Sequence, residues 1–329
     1  MKFVQDSFVY EPQPAGLDGV FKQIEKACRV CYKTENLIKE GSAEKIINNV
    51  IIPRGHTSVL EFGTVYLYRK FGLGKCEYDD YEWIVKYEKD RFTRVVSIKD
   101  EEHLHVYITT TYRTILQGDY EDPIEAIKNQ FDKDWKDDLK YLVEPTEHHH
   151  KRHCYRFIMD RVGSQSVERH RGRFGISYAQ ESTRYINYNR DKFESQITCV
   201  YPSKFYQLVD EWSKCVDSLT GESFDYVNNL TIEEQLDFLR VHDRGWVAYE
   251  QSLEDDEKTY MYLTSDECGW KPEDARGVLP LDVKTEFLMC GYPEDWNMWV
   301  FRRTDKHAHP HIQKIANEWV EDFKTRINQ

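Results

Sequence analysis

The sequence predicts an α+β fold. Three observations lead there. Apolar residues recur at helical spacing in several stretches, β-branched and aromatic runs of strand length lie between them, and the two kinds of segment interleave without regular strand–helix–strand alternation. At 329 residues the chain can bury a large core. No Pro/Ser/Gly linker, internal repeat or low-complexity tract divides it, so a single domain over 1–329 with a large insertion is expected.

The elements follow in order. Between residues 17 and 32, Val20, Ile24, Ala27, Cys28 and Cys31 fall on one side of a helix, with charges between them. Ser42 is placed to cap a second helix whose apolar side is Ile46, Ile47, Val50 and Ile51, and Pro53 and Gly55 end it. Thr64 to Tyr68 reads as a strand. From about Tyr78 to Thr114, β-branched and aromatic runs broken by charged turns suggest a hairpin or meander. Pro123 opens a helix running to about Leu142, and Cys154 to Met159 is apolar enough for a buried strand. Helices are expected again near 203–216, 232–241, 294–303 and 308–326, with a strand from Leu279 to Met289 ended by Gly291.

Composition excludes several classes of function. The net charge of −13 argues against general binding to nucleic acid polymers, whose phosphates most of the surface would repel. No apolar run approaches the ~18 residues that read as a membrane helix. The opening MKFVQDSFVYEPQP lacks a basic region followed by an apolar stretch, so a cytoplasmic location with the eight cysteines as free thiols is expected. Cys28-x-x-Cys31 falls on the apolar side of its helix and reads as core packing, and the histidines of EHHHKRHC (147–154) lie in a polar connection, so no metal is expected. Gly72-Leu73-Gly74 is too short for a dinucleotide fingerprint; there is no Walker loop and no Gly-x-Ser-x-Gly elbow.

One stretch departs from the acidic balance. Between Arg161 and Arg190 stand six arginines (161, 169, 171, 173, 184 and 190) and only two carboxylates, Glu168 and Glu181. They are interleaved with Gly, Ser and Tyr rather than Glu and Leu, unlike a solvated helix face of ion pairs. Guanidinium suits planar, bidentate contact with phosphate or another delocalised anion, so an anionic ligand is implied.

Within this stretch RHRGRFGISYAQESTRY (169–185) resembles the signature of the flavin-dependent thymidylate synthases, Arg-His-Arg followed by a Ser/Glu/Ser/Arg/Tyr segment. Three further segments resemble that family in the expected order: AEKIINNVIIPRGHTSVLEF (43–62), EDARGVLPLDVKTEF (273–287) and FRRTDKHAHPHI (301–312). Together they cover somewhat under half the chain. The resemblance implies a flavin-dependent thymidylate synthase-like fold, a central antiparallel or mixed sheet flanked by helices. Residues of about 70–150 would be an inserted β/α decoration on its rim. It also implies a homotetramer that binds FAD and dUMP at subunit interfaces, takes methylenetetrahydrofolate as one-carbon donor and uses NADPH to reduce the flavin. The product is dTMP.

By the same match, Arg169, His170 and Arg171 face the flavin, joined by Ser58 and His56 from the upstream segment and by Asn297, which stands beside Met298 where the family has a polar residue. Gln180, Glu181, Ser182, Thr183 and Arg184 line the nucleotide, with Ser182 near its ring, Arg184 on its phosphate and Glu181 also toward the cofactor. Ser166 matches a family Gln, with Gln165 adjacent, and Arg276 contacts the nucleotide. Arg303 stabilises negative charge on the uracil ring, with Arg302 the alternative. Two departures stand out: five residues separate Arg171 from Ser177 where the family usually has two, and Tyr292 and Glu294 fall where it has Asn and Arg. They keep two other readings open, a sister flavoenzyme for a different pyrimidine nucleotide and a nucleotide- or flavin-binding protein without catalysis.

Overall fold

Helix α1 (Gly16–Tyr32) forms where the helical spacing places it, burying Val20, Ile24, Ala27 and Cys28 on one side. Lys33, at φ 50°, closes it in the left-handed conformation. Helix α2 (Ser42–Ile46) runs directly into a π-helical turn, Ile47–Ile51. Gly41, at φ 69°, precedes α2 in place of the expected Ser42 cap. The Ser42 hydroxyl instead donates to Glu25 Oε2 at 2.8 Å and accepts from the Lys39 N–H at 3.0 Å. In this computed structural model the protein is described over residues 1–73, 78–117, 137–169, 175–217 and 219–327.

Three sheets follow. Strands β1 (Lys2–Val4) and β8 (Thr198–Val200) pair in parallel. Strands β2 (Ser7–Tyr10), β6 (His153–Asp160), β9 (Lys284–Gly291) and β7 (Ser177–Gln180) form an antiparallel sheet in the order β2-β6-β9-β7. Strands β3 (Thr64–Gly72), β5 (His103–Thr111) and β4 (Arg94–Lys99) form a second antiparallel sheet in the order β3-β5-β4. The architecture is mixed α+β, as the sequence pattern indicates.

The hairpin or meander expected from Tyr78 is only half right. Residues Tyr78–Glu88 form helix α3, and the hairpin is β4 with β5. The aromatic content of 78–88 suggested a strand, but Trp83, Ile84 and Tyr87 bury together at helical spacing. Helix α4 (Tyr112–Gln117) follows β5 at once. Most of the helix expected from Pro123 lies outside the described residues, and 137–141 is a 3₁₀ turn. The strand expected from Leu279 begins at Lys284. Within the stretch read as a rim insertion, Val106, Ile108, Ile115 and Leu116 are buried in the same cluster as α1 and Leu288 of β9.

The second half is mostly helical. Helices α5 (Arg161–Glu168), α6 (Ser203–Trp212), α7 (Ile232–His242), α8 (Arg244–Leu263), α9 (Pro293–Arg303) and α10 (Pro310–Ile327) follow one another. Neither α5 nor the long α8 stood out in the sequence. Helices α9 and α10 pack on β6 and β9 through Tyr155, Phe157, Phe287, Trp296, Trp299, Trp319 and Phe323. Trp319 lies 4.6 Å from Trp296 and 4.5 Å from Phe323, ring centre to ring centre. No described helix is long and apolar enough to cross a membrane.

One buried ion cluster ties these helices to the sheet. His311, in the first turn of α10, places Nδ1 2.8 Å from Asp160 Oδ2 and Nε2 3.1 Å from Asp6 Oδ2. Lys314 reaches Asp6 at 3.0 Å, and the same imidazole acts on the nearby Asp282. Burial opposes the charged imidazole, but the two carboxylates outweigh it and push His311 up to about 9. Because the folded state binds this proton more tightly, the stabilisation is complete below the unfolded value of 6.5 and is lost as pH rises through about 9. The expected contribution is on the order of 3 kcal/mol. Urea midpoints should fall between pH 6 and pH 9.5 in the wild type. In His311→Asn the protein should be weaker at pH 6 and show a much flatter profile over that window; an unchanged slope would remove this cluster from the stability of the fold.

Candidate functional site

The signature segment is carried by β7 and the turn after it. Gln180, the last residue of β7, packs against α5: in the orientation that satisfies its neighbours, its amide carbonyl accepts from Ser164, Thr285 and Arg161 and its nitrogen donates to Glu168. Next comes Glu181, fully buried. Its carboxylate accepts from the Tyr188 hydroxyl at 3.0 Å and the Glu286 N–H at 3.2 Å, and it pairs with Lys284 at 3.2 Å. Glu286 in turn holds Lys284 at 2.7 Å and Lys33 at 2.6 Å. Burial works against its charge, yet the two ammonium groups bring its carboxyl down to about 2. Glu181 is thus a foundation beneath the segment, directed into the protein.

Above this base the chain turns outward. The Ser182 N–H donates to the Cys31 carbonyl at the end of α1, at 3.0 Å, and its carbonyl accepts from the Ile186 N–H at 3.1 Å, which closes the turn. Its hydroxyl accepts from the Arg184 N–H at 3.3 Å. Thr183 is half-buried in the turn, while Arg184 and Tyr185 are exposed. Arg184 pairs with Glu273 of the downstream segment at 2.8 Å and lies over the Tyr185 ring at 5.3 Å. Arg276, exposed one turn beyond, also bears on Glu273. On the other side Tyr185 packs against Tyr32, at 5.5 Å between ring centres. The Tyr32 hydroxyl is 2.9 Å from His56 Nδ1, and the two rings stack at 26°. Burial pushes the Tyr32 hydroxyl up to about 12, which keeps it protonated as a partner for His56. Ser58 lies half-buried in the 3₁₀ turn Thr57–Phe62 that follows.

A second group gathers at the far end of α5. Asp160 caps this helix by accepting from the Gly163 N–H. The Ser166 carbonyl accepts from the guanidinium of Arg303, the last residue of α9, which is only 8 % exposed. Arg169 follows α5 directly. Burial lowers the pKa of Arg303, and the neighbouring charges of Arg169 and Arg302 lower it further, against an opposing effect from Tyr178. The charges of Arg169 and Arg302 are thus close enough to act on Arg303. Arg302 and Asn297 are exposed on α9, as is Phe301 at 73 %.

Of the residues expected from the sequence, Arg303 meets Ser166 with Arg169 nearby, Arg184 and Arg276 share Glu273, and His56 is joined to the signature turn only through Tyr32 and Tyr185. Cys31, whose carbonyl accepts from the Ser182 N–H, carries a thiol that burial pushes up to about 12, with smaller effects from the Gln180 backbone and the Glu168 carboxylate. His170 and Arg171 lie outside the described residues. Tyr32, Cys31, Glu273, Lys284 and Glu286 were not expected at the site. The sequence carried a signal for Glu273, which sits inside the downstream segment, and none for Tyr32. Among the described residues no group of three or more His, Cys, Asp or Glu is placed to hold a metal ion.

Comparison with known proteins bears on this arrangement. The family model described as "Thymidylate synthase complementing protein" matches residues 98–327. That stretch holds three of the four sequence segments, begins inside the expected insertion, and leaves 43–62 outside. No curated protein matches the chain. Among solved structures, it is similar to a UMP/dUMP methylase, PolB, from Streptomyces cacaoi bound with 5-Br dUMP. Identity is 12 %, coverage is 99 % of this chain and 93 % of that one, and the TM-score is 0.39. A structure of PolB with 5-Br UMP gives 14 % identity over 53 % of this chain and 69 % of that one, at a TM-score of 0.35. On the extent of the family match, this chain belongs to the thymidylate synthase complementing protein family, the flavin-dependent thymidylate synthases that its four segments resemble.

Proposed function

We propose that the protein methylates dUMP to dTMP, taking the one-carbon unit from methylenetetrahydrofolate and using FAD reduced by NADPH. The observation that carries this reading is the meeting of Arg303 with Ser166 and Arg169. Segments more than 130 residues apart in sequence, each carrying a family arginine, converge on one place. A ligand of opposite charge would be drawn to these guanidinium groups.

The residues present fit a flavin and a nucleotide monophosphate. Arg169, with His170 and Arg171, His56, Ser58 and Asn297, would hold the cofactor, which supplies the hydride that completes the methyl group. Ser166, Gln180, Ser182, Thr183, Arg184 and Arg276 would hold the nucleotide, with Arg184 exchanging the exposed Glu273 carboxylate for phosphate. Arg303 would face the uracil ring. Loss of the proton at N3 makes C5 nucleophilic, and a fixed guanidinium stabilises the charge that develops there with little reorganisation. C5 then bonds the donor's methylene carbon and loses its own proton, and tetrahydrofolate leaves as the methyl group forms. A cysteine nucleophile is not needed; the thiol of Cys31, whose carbonyl meets the signature turn, is held protonated by burial. Cofactor and substrate sites would be completed in a homotetramer by neighbouring subunits, in the cytoplasm.

An anaerobic assay with NADPH, methylenetetrahydrofolate and dUMP should yield thymidylate from flavin-containing protein. Absence of thymidylate, or a methylated product from UMP alone, would overturn this reading. Arg303→Ala should lower kcat on the order of 100-fold, the usual cost of one preorganised charge contact. Unchanged turnover would shift the role to Arg302. Arg184→Ala should raise the Kd for dUMP about tenfold or more while bound flavin is retained. Loss of flavin instead would show that the turn after β7 serves the cofactor.

A further inference from the structure

A cleft lies between the end of α1 and α2. Its volume is about 730 Å³, and Tyr32, Leu37, Ile38, Lys39, Lys45 and Arg54 are among its walls. Leu37 and Ile38 form an apolar lip, 51 % and 45 % exposed, which the chain leaves uncovered. Lys39, Lys45 and Arg54 make no ion pair among the described residues, in a protein whose net charge is −13. The one carboxylate in the lining, Glu40, also acts on Lys22 outside the cleft. The π-helical turn Ile47–Ile51 opens the inner wall, a local departure that recurs at binding sites.

Tyr32 joins this cleft to the candidate site. It lines the cleft, holds His56 Nδ1 at 2.9 Å and packs on Tyr185 of the signature turn. A ligand extending past Tyr32 would therefore pass from the signature turn into a cleft that offers both an aliphatic surface and three cations. That combination matches an aromatic amide ending in carboxylates.

We propose that the cleft binds the tail of the one-carbon donor, with its benzoyl ring on Leu37 and Ile38 and its glutamate carboxylates against Lys39, Lys45 and Arg54. The inference rests on the reaction proposed above and names a subsite for its co-substrate. Each added glutamate brings another carboxylate to the cationic wall, so donors with several glutamates should bind more tightly than the monoglutamate. The attraction should weaken as salt rises.

The test compares wild type with Lys45→Glu/Arg54→Glu. p-Aminobenzoyl-triglutamate, titrated calorimetrically into the intact protein, should bind the wild type, bind more weakly at 300 mM than at 50 mM salt, and lose roughly tenfold or more in the variant. In turnover, KM for the triglutamate donor should rise by a similar factor, and KM for the monoglutamate donor, with fewer carboxylates, should rise less. Flavin content and the Kd for dUMP report whether the variant is folded, and Lys45→Gln/Arg54→Gln gives a milder loss of the same kind. No binding of the probe to wild type, or equal binding to the variant, overturns the proposal. So does a changed oligomeric mass with unchanged probe affinity, which would make the cleft a contact between copies. If wild type makes no thymidylate yet binds the probe through Lys45 and Arg54, the cleft stands and the reaction falls.

Discussion

The buried contact between His311 and Asp160 fixes more of this protein than any other single interaction. Asp160 uses both carboxylate oxygens. One caps the first turn of α5 through the Gly163 N–H, and the other holds His311 at the start of α10. Helix α5 has only eight residues, too few to persist without tertiary support. Its other end is held by the contact from Arg303 to the Ser166 carbonyl. Both ends of α5 are therefore clamped by the same helical hairpin, α9 with α10, which Trp296, Trp319 and Phe323 hold together and which rests on the sheet through Tyr155 and Phe157 of β6. Charges this deeply buried are tolerable only while all members of the cluster are paired, so the clamp is held together or lost as a unit.

The strand β9 does the corresponding work for the signature turn. Just past the end of β7, the Glu181 N–H donates to the Glu286 carbonyl of β9 and the Glu286 N–H donates to the Glu181 carboxylate, and Lys284 and Lys33 neutralise the two carboxylates. The turn at Ser182–Tyr185 begins one residue beyond this network, so its exposed arginine projects from a fixed base. An acid in a family signature can serve a ligand or the backbone that presents the ligand's partners, and burial with three partners places Glu181 in the second role.

How far the sequence reveals this depends on which physical signal each part carries. Helix α1 is legible because its apolar residues repeat cleanly with charges between them. Helix α8 is not: over 20 residues it buries only Trp246, Glu250, Leu253 and Tyr260, and its polar faces hide the period. Helix α3 misleads through composition, since Trp83 and Tyr87 suggest a strand by type and a helix by spacing. At the site, the arginines of 161–190 were readable because guanidinium groups stand out against the acidic balance, whereas His56, Arg276 and Arg303 were readable only through the family segments that carry them. Tyr32 was not, because it ends a helix read as core and acquires its role only when folding brings its hydroxyl to His56. Lys284 and Glu286 were missed for a related reason: in a strand of buried residues their charges make sense only across the ladder to Glu181.

The two arginine groups are positioned in physically different ways, and the difference constrains how each can act. Ser166 orients Arg303 through a carbonyl, and burial beside the charges of Arg169 and Arg302 works against its charged form, so an anion bound there would be drawn to it. Such a group favours negative charge appearing beside it, the condition a ring losing a proton requires. Arg184 is exposed and already paired with Glu273. Exposed pairs of this kind are worth about 0–1 kcal/mol, so a phosphate can displace the carboxylate at little cost. At physiological salt the field of an acidic surface is screened within about 8 Å. The net charge therefore does not keep a nucleotide from short-range contact with these groups, and recognition falls to the few residues that fold and sheet hold in place.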